Sequence, residues 1–320
     1  MQTDTTQNNR EKKSSPWRWV VLISAILIFA GIVIFSFSMI FFAKVISTAE
    51  KRTYTETSGN GSEKIAIVDL DFTIMSPEGF VKQMKKYRED KSIKAIIIHV
   101  NTPGGGVAAS QEMYEEVKKT RDSGKPVVVS VESINASGGY YISCGANLIV
   151  ANPGSLVGSI GVIMQYYTFK ELADKIGMKE NTIISGENKD TGNPFRDATE
   201  KDKEYLNDIV MDSYDQFLDV VSKERKIDKE ELRKIATGRV FTGRQAKENG
   251  LIDSLGTFSD AVRITARLAN IDGEPVLVKE KNRNNFFELF IESIIGIKDF
   301  NKNTLEDMLR KPLLQYKFEN

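Results

Sequence analysis

The chain has 320 residues but only one cysteine and one histidine. A lone Cys144 cannot close an intramolecular disulfide, and His99 alone cannot seed a His/Cys metal cluster, so a disulfide-stapled scaffold and a structural zinc site are both excluded. Net charge is also lacking: 44 Lys+Arg balance 44 Asp+Glu, which gives bulk electrostatics no hold on nucleic acid. Nucleotide motifs are missing too. There is no G-x-x-x-x-G-K-[ST], and the glycines of 154–161 have no convincing G-x-G-x-x-G context. No serine is followed three positions later by lysine, and no internal repeat is visible. Neither an organic cofactor nor a metal is expected.

What the chain does have, at 41% apolar residues, is enough hydrophobic material for one α/β domain and a membrane anchor. Trp19 to Ala43 runs 25 positions without a charge. That exceeds the roughly 20 residues a helix needs to cross the hydrocarbon core and is too long for a usual cleaved signal. Residues 17–43 therefore read as a single transmembrane anchor in the lipid bilayer, although Ser47 and Ala49 offer a small-residue pair for cleavage. Arg10, Lys12, Lys13 and Arg18 precede the span and Lys44, Lys51 and Arg52 follow it, a narrow positive-inside margin. The expected topology is a cytoplasmic 1–16 tail, with the larger C-terminal part outside the cytoplasm at the plasma membrane.

Residues 44–62 have the Ser/Thr/Gly/Asn bias of a tether, and the folded domain is expected over 63–280. Its pattern predicts strands at Ile65–Leu70, Lys94–Val100 and Pro126–Val131 alternating with helices near Glu78–Arg88 and Val107–Arg121. Strands alternating with helices imply parallel βαβ pairing. Short strands follow around Leu148–Val150 and Gly161–Gln165. A helix is predicted over Glu200–Arg225, started by the capping box Thr199-Glu200-Lys201-Asp202. A helical stretch at Lys229–Ala236, a turn at Gly243–Ala246, a helix near Phe258–Ala269 and a last strand at Pro275–Lys279 complete the domain. The tail, 281–320, carries an apolar patch from Phe286 to Ile295 that suits a helix against a partner, the membrane surface or the domain itself.

The chemistry centres on Asn135-Ala136-Ser137-Gly138-Gly139-Tyr140-Tyr141, where one serine stands among small residues at a turn into a helix. A second glycine-rich turn, Asn101-Thr102-Pro103-Gly104-Gly105-Gly106, ends an apolar strand upstream. Bare backbone N–H groups facing one serine suggest acyl transfer with an oxyanion hole. The same glycines equally suit tight turns needing positive φ. The serine needs a base. His99 lies two residues before the glycine-rich turn, which makes a Ser-His pair unattractive without excluding it, and a strand histidine satisfied by a neighbour is the simpler reading. Asn135 stands where G-x-S-x-G requires its first glycine, which weakens an α/β-hydrolase reading. An unprotonated lysine is the other common base, and by spacing alone Lys189 looks like an ordinary surface residue.

These segments resemble the signal peptide peptidase A family of serine proteases, peptidase family S49, in the Clp protease/crotonase-like superfamily. The resemblance rests on NTPGGG, NASGGYY, Gly154–Val162, Ser185-Gly186-Glu187-Asn188-Lys189-Asp190 and Gly238–Ala246, in that order, and covers about 65–255. Thr102 stands where the family has serine, and Asn135 where it often has alanine; neither change removes a catalytic group. The resemblance implies a Ser137–Lys189 dyad, with the base 52 positions after the nucleophile, Ser159 orienting the lysine, and Gly105 and Gly138 N–H groups forming the oxyanion hole. It further implies a Clp protease/crotonase-like fold, signal-peptide remnants and other hydrophobic peptides as substrates, and ring-like homo-oligomers with the dyad shared between protomers. Separately, the apolar patch in the tail, 281–320, beyond the catalytic core, suggests that the tail enters the active sites as a regulatory pseudo-substrate. Two rivals share the fold: a crotonase-like acyl-CoA enzyme and a catalytically silent membrane scaffold.

Overall fold

A computed structural model describes residues 53–59, 61–282 and 314–317, with Trp17, Phe29 and Val33 besides. The anchor expected at 17–43 and the apolar patch at 286–295 lie outside the described residues, apart from those three positions. Among the described residues no helix is long and apolar enough to cross a membrane. Most of the described residues, from 54 to 281 and 314–317, belong to one compact unit; Thr53, Asn282 and the three N-terminal positions fall in the other.

The chain runs through β1 (Thr53–Ser58), β2 (Lys64–Leu70), α1 (Glu78–Glu89), β3 (Ile93–Thr102), β4 (Gly104–Gly106), α2 (Val107–Asp122), β5 (Val127–Ala136) and α3 (Gly138–Ser143). It continues with β6 (Leu148–Ala151), β7 (Leu156–Gly158), β8 (Ile163–Met164), α4 (Lys170–Lys175), α5 (Glu200–Arg225) and α6 (Lys229–Ile235). The last described elements are β9 (Val240–Thr242), α7 (Gly243–Glu248), β10 (Ser254–Leu255), α8 (Phe258–Leu268), β11 (Val276–Asn282) and β12 (Leu314–Lys317). The main sheet has the order β1-β11-β2-β3-β5-β6-β10, with β7 added on β5 and β9 on β7. Its pairs from β11 through β10 are parallel. The α/β class and the parallel sheet are as the alternating pattern predicts.

Two faces of this sheet are covered, which is why β3 reads as a nearly continuous apolar run rather than an alternating one. Ile96, Ile98 and Val100 enter the large core with Met84 of α1, Tyr114 of α2 and Tyr141 of α3. Ala95 and Ile97 take the opposite face, with Ala266 and Ile271 at and beyond the end of α8. α5 has the predicted bounds and capping box, in which Thr199 and Asp202 each satisfy the other's backbone N–H.

Several local readings change. Gly243–Ala246 is the start of a helix, not merely a turn, because Thr242 and Gln245 form a second capping box there. β5 extends five residues beyond the predicted end at Val131, reaching Ala136. The strand expected at Gly161–Gln165 shrinks to Ile163–Met164, and β7 precedes it. β1 lies within the segment read as a tether, and β12 follows the strand expected to be last.

Candidate active site

The site begins where β5 changes partner. Its first half pairs with β6, and its second half, Ile134 to Ala136, pairs with β7 in register with Leu156 to Gly158. At Ser137 the chain turns sharply, with φ 54° and ψ −115°, a conformation rarely taken by residues with a side chain. Ser137 N–H donates to Gly158 O at 2.7 Å, and Ser137 O accepts from Tyr141 N at 2.9 Å, which opens α3. The side chain is only 1% exposed, yet its Oγ has no hydrogen-bond partner among the described residues. A buried hydroxyl normally finds a partner, and this one, on a strained turn, has none among the described residues.

Gly138 and Gly139 open α3, where backbone N–H groups have no intrahelical acceptor. A Cβ on Gly139 would sit 2.5 Å from Thr102 Cγ2, so the packing of α3 against the upstream loop requires glycine. Asn135 Nδ2 donates to Ser143 Oγ at 2.9 Å, and that hydroxyl donates to Gly139 O at 2.8 Å, which fixes the turn from within.

The upstream loop is held just as closely. Thr102 Oγ1 donates to Phe72 O and accepts from Gly104 N. Ile74 N donates to Gly104 O at 2.8 Å, and Gly106 N donates to Ile74 O at 2.7 Å. Since successive peptide groups of an extended chain face opposite edges, the N–H and C=O of Gly105 point away from Ile74. On that other edge lies β12, antiparallel to β4 with Tyr316 opposite Gly105. β12 also pairs antiparallel with β8, placing Leu314 opposite Met164 and Gln315 opposite Ile163. The C-terminal strand thus occupies the gap between the glycine loop and β8.

Ser159 directly follows Gly158, the register partner of Ala136, so Ser137 and Ser159 end two adjacent parallel strands side by side. Ser159 is itself left-handed at φ 50° and buried, and its N–H donates to Arg239 O at 2.9 Å. Beside it opens a cleft of about 670 Å³ lined by Val162, Ile163, Val210, Met211 and Tyr214.

Lys189 lies on an exposed turn in which its N–H donates to Gly186 O at 3.0 Å. Its ε-amine makes no hydrogen bond or ion pair among the described residues and is not within hydrogen-bonding reach of Ser137 Oγ. The structure brings Ser137, Gly138, Ser159 and the Gly105 loop together, with no hydrogen bond from Lys189 to Ser137 Oγ. Next to Lys189, Arg196 pairs with both Asp190 and Asp202. Hydrogen bonds from the guanidinium hold both carboxyls below the usual carboxylate range. Groups depressed in this way contribute stability that is present above the ordinary carboxylate pKa and is lost as pH falls through the lower folded values.

The two other nucleophile or base candidates are accounted for structurally. His99 shares the β3 face of Ala95 and Ile97, opposite α3; its ring meets Phe258 edge-on at 5.1 Å and its Nδ1 lies 3.7 Å from Asp69 Oδ1. It is a partly buried strand histidine beside a carboxylate. Cys144 is buried, and burial pushes its thiol up to about 12, so it is no thiolate nucleophile at neutral pH.

Residues 119–272, which include Ser137, Ser159 and Lys189, match the family model for peptidase family S49. A protein of Methanocaldococcus jannaschii provisionally named a protease is 37% identical over 244 residues, covering 71% of this chain and 78% of its own length. The chain belongs to peptidase family S49, the family of signal peptide peptidase A. A protein of Enterococcus faecium provisionally named signal peptide peptidase SppA is 38% identical over 185 residues, 58% of this chain and 54% of that protein. The chloroplastic serine protease SPPA of Arabidopsis thaliana is 36% identical over 195 residues, 61% of this chain and 29% of its own length. This S49 chain therefore spans about half the length of its Enterococcus relative and less of the plant one. The motifs that carried the resemblance identify the family correctly. What the motifs did not reveal is the support around them in this S49 chain: Ile74 bridging Gly105, Phe72 holding Thr102, and Arg196 between two aspartates. None of these has a spacing signature, because each contact joins segments brought together only by folding.

Proposed function

We propose that this S49 peptidase is a membrane-anchored serine endopeptidase of the Clp protease/crotonase-like fold, using a Ser137–Lys189 dyad on signal-peptide remnants and other hydrophobic peptides. The observation that carries the reading is the buried, unpartnered Ser137 Oγ on a strained turn beside a backbone edge that holds an extended strand. A neutral Lys189 takes the Ser137 proton as the hydroxyl attacks the scissile carbonyl. The oxyanion is held by the N–H groups of Gly105 and Gly138, and Ser159 orients the lysine amine. Protonated Lys189 then donates to the leaving amine, and a water activated by the same lysine releases the acyl-enzyme.

The peptide would bind as β12 does, adding an antiparallel strand between β4 and β8 so that main-chain bonds supply affinity without sequence preference. The cleft beside Ser159 has apolar walls suited to a hydrophobic side chain of that peptide. Lys189 reaches the serine of a neighbouring protomer in a ring-like homo-oligomer at the plasma membrane, with the catalytic part outside the cytoplasm. Support for this comes from the exposed, unpaired Lys189 and from the exposed Tyr167, Phe169, Leu172, Ile176 and Ile183, which a second copy would cover. Mixing inactive Ser137→Ala and Lys189→Ala protomers is the test of sharing: restored hydrolysis supports it, and mixtures as inactive as their parents reject it.

β12 gives the tail a regulatory part in this reading. A segment tethered to its own site competes at high effective concentration, so truncation before Leu314 should raise kcat/KM for a short peptide by roughly threefold or more. Turnover unchanged by the truncation would remove the tail from regulation. The acyl-CoA and scaffold readings have no comparable observation in their favour.

A further inference from the structure

We propose that Arg196 is the positioning residue for Lys189, clamping the lysine's turn to the start of α5. The inference rests on the Ser137–Lys189 reading above. Residues 177–199 contain no helix or strand, and the turn carrying Lys189 is flanked by Gly186 and by Gly192 at φ 82°. A general base on such a segment needs an external support, because an error of about 1 Å in placing a reacting group costs on the order of 10²-fold in rate.

The support is the guanidinium. Arg196 Nε donates to Asp190 Oδ2 at 2.8 Å and Nη2 to Asp190 Oδ1 at 3.0 Å, a two-pronged bond to the residue immediately after the lysine. The same guanidinium forms a second two-pronged bond to Asp202, from Nη1 to Oδ2 and from Nη2 to Oδ1 at 3.1 Å. Asp202 also accepts from Thr191 Oγ1 at 2.8 Å, so both residues following Lys189 are tied to one point. That point is rigid. Asp202 is 4% exposed and accepts from the N–H and the hydroxyl of Thr199, within the capping box of the 26-residue α5. The planar fork of arginine bridges two carboxylates in fixed directions, which a lysine at 196 cannot do. Another buried-side arginine pair, Arg225 with Asp253, joins α5 to the segment before β10 and touches no site residue.

The test uses the full chain purified in detergent and a fluorogenic hydrophobic peptide, with kcat, KM, assembly size and thermal midpoint measured for each variant. Arg196→Met and Asp190→Asn are each expected to lower kcat about 100-fold with KM within threefold of wild type, at unchanged assembly size and with a thermal midpoint that falls but stays well above the assay temperature. The double variant is expected to lose no more than either single, since the two residues act as one unit. Arg196→Lys, with charge but no fork, should recover only part of the loss. Wild-type kcat in Arg196→Met or Asp190→Asn overturns the proposal, as does a loss confined to KM or one explained in both variants by unfolding or disassembly. Lys189→Ala separates the two levels: if it keeps turnover, the dyad reading itself fails. If it is inactive while Arg196→Met is not, only the positioning role fails.

Discussion

Ser137→Ala is expected to lower kcat/KM for a hydrophobic peptide by about 10⁴- to 10⁶-fold, the range found when the nucleophile of a serine hydrolase is removed. At 1.36 kcal/mol per decade this is a loss of about 5–8 kcal/mol of transition-state stabilisation. The same substitution should leave the protein as stable as before, or slightly more so. Ser137 Oγ makes no hydrogen bond among the described residues, so its removal leaves no partner unsatisfied. The backbone at φ 54° is shaped by Gly158 O and by the first turn of α3, both of which alanine retains. Loss of activity at constant thermal midpoint is the signature of a residue kept for chemistry against the interest of packing. A variant that instead unfolded early would mean that Ser137 serves the turn, and the nucleophile would have to be sought elsewhere.

Gly105→Ala should be the next most damaging single change. A Cβ at this position would lie 2.0 Å from the backbone oxygen of Ile74, a group that cannot rotate away. β4 must therefore shift, and the Gly105 N–H that faces β12 shifts with it. Removing one oxyanion donor costs about 10²- to 10³-fold in kcat, and a displaced donor should approach that figure. KM should also rise, because β4 is the edge on which β12, the proposed stand-in for the peptide strand, pairs. Gly79→Ala on α1 is the control: its Cβ would meet nothing within 4 Å, and activity should stay within about twofold, as for ordinary surface substitutions. Equal activity in Gly105→Ala and Gly79→Ala would remove the glycine loop from catalysis.

The parts of this molecule that were legible in the sequence are those specified locally. α5 was readable to the residue because its capping box and apolar stripe lie within one stretch of chain. β2 and β3 announced themselves as apolar runs between turns, as strands covered on both faces do. The elements that escaped are specified by distant partners. β4 is three glycines, a strand only because Ile74 bonds one edge and β12 the other. β7 exists because β5 overshoots β6 and needs a new neighbour. At the site, the serine and both glycine turns stood out as small residues where the chain must bend or approach closely. Lys189 did not, since nothing around an exposed lysine in a polar turn distinguishes it, and only the family resemblance singled it out. His99 shows the reverse case: its place two residues before the glycine-rich turn spoke against a Ser-His pair, and the contacts with Phe258 and Asp69 place it on the face away from α3.

The most direct test of the account compares Lys189→Ala with His99→Ala in the full-length protein, using cleavage of a fluorogenic signal-peptide sequence as the readout. The Ser-Lys reading predicts that Lys189→Ala falls at least about 10⁴-fold, as the loss of a base acting in one unit with its nucleophile should, while His99→Ala keeps its turnover. Turnover that survives Lys189→Ala and disappears with His99→Ala would contradict it and assign the proton transfer to histidine.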